Sequence, residues 1–382
     1  MFTKDGSPLA EKQDAQSLHA WLVLSHVNGM QSRLYNRLLH IFNSPQNILA
    51  SDPQQLQEAG LHKDLARDIS KAGQGLIPEA MKCALDLCQS WLDSPEHHLL
   101  TCQSPDYPVL LSFIPDPPPL LYVKGKPESL HSPMIAMVGS RQPSAGGRRN
   151  ARRFARELAL NNLGVVSGLA LGIDVESHRG AIEAGKSTVA ALGTGIDKIY
   201  PQANKAMFEA VAENGALVSE FNIGTPPRPI NFPQRNRIIS GLSKGVLVVE
   251  AGIRSGSMIT ARFALEQGRD VFAIPGSIHN PLARGCHKLI AEGAKLAQCV
   301  EDIVEEKLLP VENFLAADDK PEPCLSEEVA RVKNAIGFDW VSLDELVLET
   351  GFDVQSVSVA LIELELKGLI QRENNGYALT PP

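Results

Sequence analysis

Six short segments of this 382-residue chain combine glycine, small hydroxyl residues and arginine in ways that suit an anionic ligand. In Val138-Gly139-Ser140-Arg141 the glycine lets backbone approach a phosphate, and the helix that follows offers free N–H groups. Arg141 adds a planar fork of donors. A plain tight turn explains Gly139 equally well. Ser167-Gly168-Leu169-Ala170-Leu171-Gly172-Ile173-Asp174 repeats the pattern, with Asp174 placed as a helix N-cap and His178 one turn on, in a capping or core role. Gly193-Thr194-Gly195 precedes Tyr200-Pro201 and Lys205, a solvated helix lysine or a phosphate contact. The segment Asn231-Phe232-Pro233-Gln234-Arg235-Asn236-Arg237, read as a loop, sets an aromatic face beside cations and an amide. A single nucleic-acid strand uses that combination, a face to stack a base and charges for its phosphates. A buried Phe232 with solvated arginines fits the same residues. Glu250-Ala251-Gly252 leads to Ser255-Gly256-Ser257, where hydroxyls at a helix start suit either phosphate or simple capping, and Pro275-Gly276-Ser277 closes the set.

Several catalytic patterns are missing. No GxxxxGK[ST] loop, GxSxG elbow or HExxH helix occurs, and GSRQPSAGG does not fit the dinucleotide fingerprint GxGxxG. Asp174, Glu220 and Glu250 each have capping or strand-end roles to fill, so no metal site is assigned. The six cysteines are scattered without metal-ligand spacing, as reduced thiols are in a cytosolic protein. Cys286 and His287 are chain neighbours, which seldom face each other as a nucleophile and base must. No catalytic residue and no cofactor are expected.

The elements that must position these loops are legible between Met134 and Val304. Short apolar runs (MIAMV, GVVS, TVAAL, ALVS, GVLVVE, DVFAI) alternate with amphipathic helical stretches. This is the pattern of a doubly wound, mostly parallel α/β sheet, which binds ligands at the carboxyl ends of its strands. Residues 1–98 read as a small helical region, and 99–304 as the Rossmann-like domain. Within it, 104–119 is expected as an extended strap and Leu120–Gly125 as a strand. Residues 305–324, acidic and with three prolines, read as a linker. Residues 325–382 read as three helices and a hairpin with Asn-Asn-Gly at its tip, a winged helix.

The net charge of −8 is unevenly spread. Six arginines and no acidic residue lie between Arg141 and Arg156, whereas residues 325–382 hold ten acidic and four basic residues. The polar start and the lack of a long apolar run point to a cytoplasmic protein that neither enters nor crosses a membrane.

Taken together, VGSR (138–141), VVSGLALGID (165–174), SHRGAIEAG (177–185), GTGIDKIYP (193–201), SEFNIGTPPRPINFPQRNRIISGLS (219–243), VVEAGIRSGSMITARFALEQGRDVFAIPGS (248–277) and GCHKLIAEGA (285–294) resemble the DprA/Smf family of DNA-processing proteins. The resemblance implies a non-catalytic, homodimeric binder of single-stranded DNA that protects incoming strands and loads the recombinase RecA onto them during natural transformation. It places strand contacts at Gly139, Ser140, Arg141, Lys205, Phe232, Arg235, Asn236 and Arg237, with Ser167, Gly168, Ser255 and Gly256 lining the pocket through their backbones. It makes the segment from Phe263 to Ile290 a candidate dimer surface and the N-terminal helices a sterile-alpha-motif-like domain. Leu171 stands where the family usually has arginine, and HVNGMQS replaces the usual Gly-x-Gly hairpin, so no phosphate contact is expected there. The acidic winged helix suits a protein partner better than phosphate. The alternative is a nucleotide hydrolase of a related Rossmann-like family using Glu250. An oxidoreductase lacks its fingerprint, and a winged-helix transcription regulator lacks the charge.

Overall fold

The computed structural model describes residues 9–304, 325–336, 340–373 and 376–380. The chain divides into two compact units, Met1–Leu308 and Leu309–Pro382. The expected linker, 305–324, lies outside the described residues.

The described part of the first unit opens with helices α1 (Leu9–His26), α2 (Ser32–Phe42), α3 (Pro45–Ala50), α4 (Pro53–Glu58), α5 (Lys63–Gly73) and α6 (Glu79–Leu92). Ser44 and Asp52 cap α3 and α4, each followed by a proline whose missing N–H has no helical role there. A nine-stranded sheet follows: β1 (His97–Thr101), β2 (Leu120–Gly125), β3 (Met134–Val138), β4 (Gly164–Ser167), β5 (Thr188–Ala191), β6 (Ala216–Ser219), β7 (Gly245–Val248), β8 (Asp270–Ala273) and β9 (Lys295–Leu296). Its spatial order is β1-β2-β6-β5-β4-β3-β7-β8-β9. The pairs from β6 to β9 are parallel, and β1 and β2 add antiparallel strands at one edge.

All residues of β3 to β7 are buried, which is why these runs lack polar alternation. The crossovers are α8 (Ala145–Leu160), α9 (Ile173–Glu183), α10 (Lys205–Asn214), α11 (Asn231–Gly241), α12 (Gly256–Glu266) and α13 (Arg284–Ala291), with α14 (Glu301–Val304) closing the unit; α7 is taken up below. Phe154 and Leu158 of α8 join Ile135, Val165 and Leu247 in one core layer, and Ile238 and Ala261 join Val166 and Val246 on the other face.

Three features differ from the pattern-based expectation. β1 starts at His97, paired with Lys124, so the sheet begins before the division drawn after residue 98. The N-terminal helices also share a core with the sheet: Trp21, Leu24 and Leu38 cluster with Leu120, Tyr122 and Leu217. The stretch 104–119 is not wholly extended, because Pro108 starts a single helical turn, α7 (Val109–Ser112), which buries Leu111 against the core.

The second unit holds α15 (Glu327–Ala335), β10 (Val341–Ser342), α16 (Leu343–Thr350), α17 (Val354–Leu366), β11 (Ile370–Glu373) and β12 (Gly376–Leu379), the winged-helix arrangement. Asn374 and Asn375 of its hairpin tip lie outside the described residues. The outward side of α17 exposes Val359, Ile362 and Leu366 beside Glu363 and Glu365. Among the described residues, no helix is long and apolar enough to cross a membrane.

Candidate nucleic-acid interface

The sheet reverses its winding between β3 and β7. From β3 the chain proceeds to β4, β5 and β6 on one side, and from β7 to β8 and β9 on the other. Loops leaving such neighbours diverge and open a crevice at their carboxyl ends. Here the loops are stitched together. The Ser140 N–H donates to the Glu250 carbonyl (2.7 Å), and the Ser257 hydroxyl donates to the Gly139 carbonyl (2.9 Å). A Cβ at Gly139 would lie 2.5 Å from Ile173 Cγ1, so the packing of the loop against α9 requires glycine there.

Glu250 decides what this crevice can do. Its Oε2 accepts from the Ser144 N–H (2.9 Å) and its Oε1 from the Ser144 hydroxyl (2.6 Å). A Cβ on Gly147 would meet Oε2 at 2.3 Å. The carboxylate therefore occupies the positive end of the α8 dipole, the position an incoming phosphate would use. The opposite wall is left open: nothing lies within 4 Å of where a Cβ would stand on Gly252 or Gly256, at the start of α12.

Between these walls lies a groove of about 630 Å³ lined by Gly139, Ser140, Arg141, Tyr200, Phe232, Asn236, Arg254, Ser255 and Gly256, among others. The half-buried Phe232 ring lies 5.5 Å from that of Tyr200, tilted by 39°, and the Arg141 guanidinium sits 5.8 Å from its centroid. Gly193 seats Phe232, since a Cβ there would lie 2.7 Å from the ring. Arg141 and Arg254 are both exposed, and among the described residues neither forms an ion pair. An aromatic shelf with cations at its rim can hold a base and the phosphates beside it.

The segment 231–237 is the first turns of α11, not a loop, and this sorts its side chains. Phe232, Arg235, Asn236 and Ile239, spaced as one helical face, line the groove. Arg237 points elsewhere, into a second cleft of about 680 Å³ shared with Ile230 and Gln234. Buried there, its Nη1 and Nη2 donate to Glu220 (2.9 and 2.7 Å), Nη2 also donates to Ser32 Oγ (3.2 Å), and Nε lies 3.6 Å from Asp116. Arg237 ties the sheet to α2 and is not brought to the groove.

Arg235 lies at the floor of the groove, almost wholly buried. Its Nη1 donates to the carbonyls of Gly168 (2.8 Å) and Ala191, and its Nε to Asn236 Oδ1 (3.3 Å). Burial lowers its pKa to about 10, so it stays charged at neutral pH and balances the buried Asp174. Burial raises the Asp174 carboxyl, and Arg235 opposes that shift. Arg235 thus braces the β4 and β5 loops.

Ser167 and Gly168 do not line the groove. The Ser167 hydroxyl donates to the Met137 carbonyl (2.6 Å), while the Gly168 N–H and carbonyl are engaged by Asp174 and Arg235. Lys205 is exposed at the start of α10, 3.9 Å from Glu209, and is also outside the groove lining. Cys286 is buried, its thiol pushed up to about 11 by desolvation, while His287 faces the Gly276 carbonyl (2.9 Å), so the two do not work together.

Arg254 and Tyr200 line the groove, although neither is among the contacts expected from the sequence. The sequence signal for Arg254 is a lone cation flanked by Gly252 and Gly256 ahead of a helix.

The model of the family described as DNA recombination-mediator protein A matches residues 98–307, more than half of the chain. The chain belongs to the DprA/Smf family. A second match, to the DprA winged helix domain, covers 316–376. Among relatives of this family, Protein Smf of Escherichia coli (strain K12) is 39% identical over 367 residues, 94% of each chain. DNA processing protein DprA of Streptococcus pneumoniae is 48% identical over 200 residues, 52% of this chain and 71% of that one. The solved structure of DNA processing protein A from Streptococcus pneumoniae superposes with a TM-score of 0.64 at 36% identity, covering 75% of this chain and 95% of that one. The Helicobacter pylori DNA processing protein A, whose structure is described for its single-stranded DNA binding mode, gives a TM-score of 0.50 at 30% identity over 55% of this chain and 94% of that one.

Proposed function

We propose that this DprA/Smf protein binds single-stranded DNA in the groove between the β3 and β7 loops, protects it and passes it to RecA, without catalysing a reaction on it. The observation that carries the reading is the Phe232–Tyr200 shelf with Arg141 over it and Arg254 across the opening. Stacking takes any base, and exposed guanidiniums take its phosphates, so the groove suits a strand of any sequence. The nearby carboxylates are already engaged, Asp174 by Arg235 and two backbone N–H groups, Glu250 by Ser144. That engagement supports a binding role over Glu250 acting as the base of a hydrolase. The single-stranded DNA binding described for the Helicobacter pylori relative supports the same reading.

Family membership supports RecA loading, a role in transformation and a cytoplasmic location as parts of the same proposal. We propose that self-association uses the segment from Phe263 to Ile290; the exposure of Leu265 and Ile278 there supports this. An Ile278→Glu variant that still sediments as a dimer would move that surface elsewhere.

The test is competition: labelled oligo-dT bound to the protein is challenged with unlabelled single strand or duplex of equal length. Single strand should displace the probe at far lower concentration. Equal displacement by duplex would refute the groove reading, and release of base or phosphate from a nucleoside monophosphate would restore the hydrolase. RecA filament growth on single strands, followed with and without the protein, tests the loading step.

A further inference from the structure

Helix α8 carries more arginine than its structure explains. Arg148, Arg152 and Arg156 recur every four residues and all three are exposed, forming one stripe along the outer face. At 1.5 Å per residue the stripe spans roughly 12 Å. It starts one turn after Ser144, which Glu250 holds at the carboxyl edge of the sheet, and runs back from that edge.

Three observations set this stripe apart from an ordinary solvated face. Like charges four residues apart repel along a helix. Arg148 and Arg149 stand near the N-terminus of α8, whose own first turn holds no acidic residue and whose positive end is met from outside the helix by Glu250. The like-charge spacing of the stripe works against the helix that bears it. Neutralisation is also incomplete. Arg152 reaches Glu183 of α9 (Nε to Oε2 2.7 Å) and Arg153 lies 3.8 Å from Glu157; Arg156 feels both carboxylates without a direct ion pair, and among the described residues Arg148 forms none. In a chain of net charge −8 these arginines form one run with Arg141, which lines the proposed binding groove.

We propose that the α8 stripe is a second, backbone-tracking surface for the same single strand, continuing its path beyond the groove. The inference rests on the groove reading above. The outward side chains of the stripe are arginines, with the aromatic Phe154 buried, so it holds phosphates without stacking bases and without sequence preference. The groove then fixes one stretch of strand, and the stripe lengthens the footprint.

The experiment compares the parent with Arg148→Gln/Arg156→Gln on labelled dT oligomers of about 6 and about 20 nucleotides, bracketing a small single-strand site. Both side chains are exposed, and thermal melts confirm folding. The expected result is roughly tenfold weaker binding of the longer oligomer at low salt. Its log–log salt slope should become shallower by about 1.4, two phosphates at about 0.7 each, with the short oligomer bound within twofold of the parent. Equal weakening of both lengths, or no change on the longer one, would overturn the stripe. A parent that binds neither oligomer overturns the groove, and the stripe falls with it. A parent that binds both, with the variant unchanged, removes the stripe alone.

Discussion

Arg237 separates this account from one drawn on motif alone. A strand-contacting arginine, replaced by alanine, weakens binding and leaves the fold intact; the observed Arg237 predicts the reverse. Its guanidinium forms a paired bridge to Glu220, and the two side chains are only 7% and 4% exposed. Arg237→Ala leaves a buried carboxylate with the Ser32 hydroxyl at 3.3 Å as its remaining side-chain donor. Breaking such a pair from one side costs about 3–5 kcal/mol. For a unit of this size, at about 2.1 cal/mol/K of unfolding entropy per residue, that is a fall in Tm of roughly 5–8 °C. The deficit depends on pH. Burial already raises the Glu220 carboxyl with Arg237 in place, and removal of the cation raises it further. A carboxyl raised in the folded state favours folding at low pH, and that advantage is lost as pH rises through its folded pKa. The deficit of the variant should therefore be largest in mild alkali and shrink in acid. Thermal melts at several pH values, with oligo-dT anisotropy measured well below the lowered Tm, check both parts. Affinity per folded molecule should stay within about threefold, under 1 kcal/mol. A variant with the parental Tm and abolished binding would refute the reasoning and return Arg237 to the interface.

Three further outcomes follow from the same geometry. Phe232→Ala removes the stacking face and should weaken single-strand affinity by about 5- to 150-fold, the range of one base–aromatic stack, with a salt slope close to the parent's in anisotropy titrations. Gly193→Ala places a Cβ 2.7 Å from the Phe232 ring, so it should displace that ring and weaken binding in the same titration, while melts show the sheet retained. His178 is fully buried, with Nδ1 2.8 Å from Thr188 Oγ1 and Nε2 without a partner, and burial lowers its pKa from 6.5 to about 3. The unfolded chain takes up this proton below pH 6.5 and the folded chain does not. Stability should fall by about 1.4 kcal/mol per pH unit from this group between pH 6.5 and 3, and denaturant melts of His178→Asn should lack that component.

The doubly wound sheet was legible because strands buried on both faces have no polar alternation to confuse them with amphipathic helices, and MIAMV, GVVS and GVLVVE each form a strand. The crevice loops were legible from their glycines. The division of labour among the arginines was not, because it turns on helical phase. Reading 231–237 as a loop puts Arg235 and Arg237 on one surface, whereas a helix separates residues two apart by about 200° and sends them to different clefts. The partners of Arg237, Ser32 and Asp116, are remote in sequence, so no local pattern announces the pair. Ser167 and Gly168 sit at a strand end like groove residues, but Asp174 and Arg235 turn their polar atoms inward. Glu250 closing the α8 N-terminus was equally hidden, since Ser144 lies more than a hundred residues away.

The central claim is that Arg141 and Arg254 hold the phosphates of a single strand across the Phe232 shelf. Its most direct test is the salt dependence of labelled oligo-dT affinity for the parent, Arg141→Ala and Arg254→Ala, between about 50 and 200 mM salt. The account predicts tight binding at low salt and a steep slope for the parent. Each variant should bind more weakly, with a slope shallower by about 0.7, because one phosphate of the strand is no longer neutralised. A folded parent that fails to bind at low salt, or variants whose affinity and slope match the parent's, would contradict it.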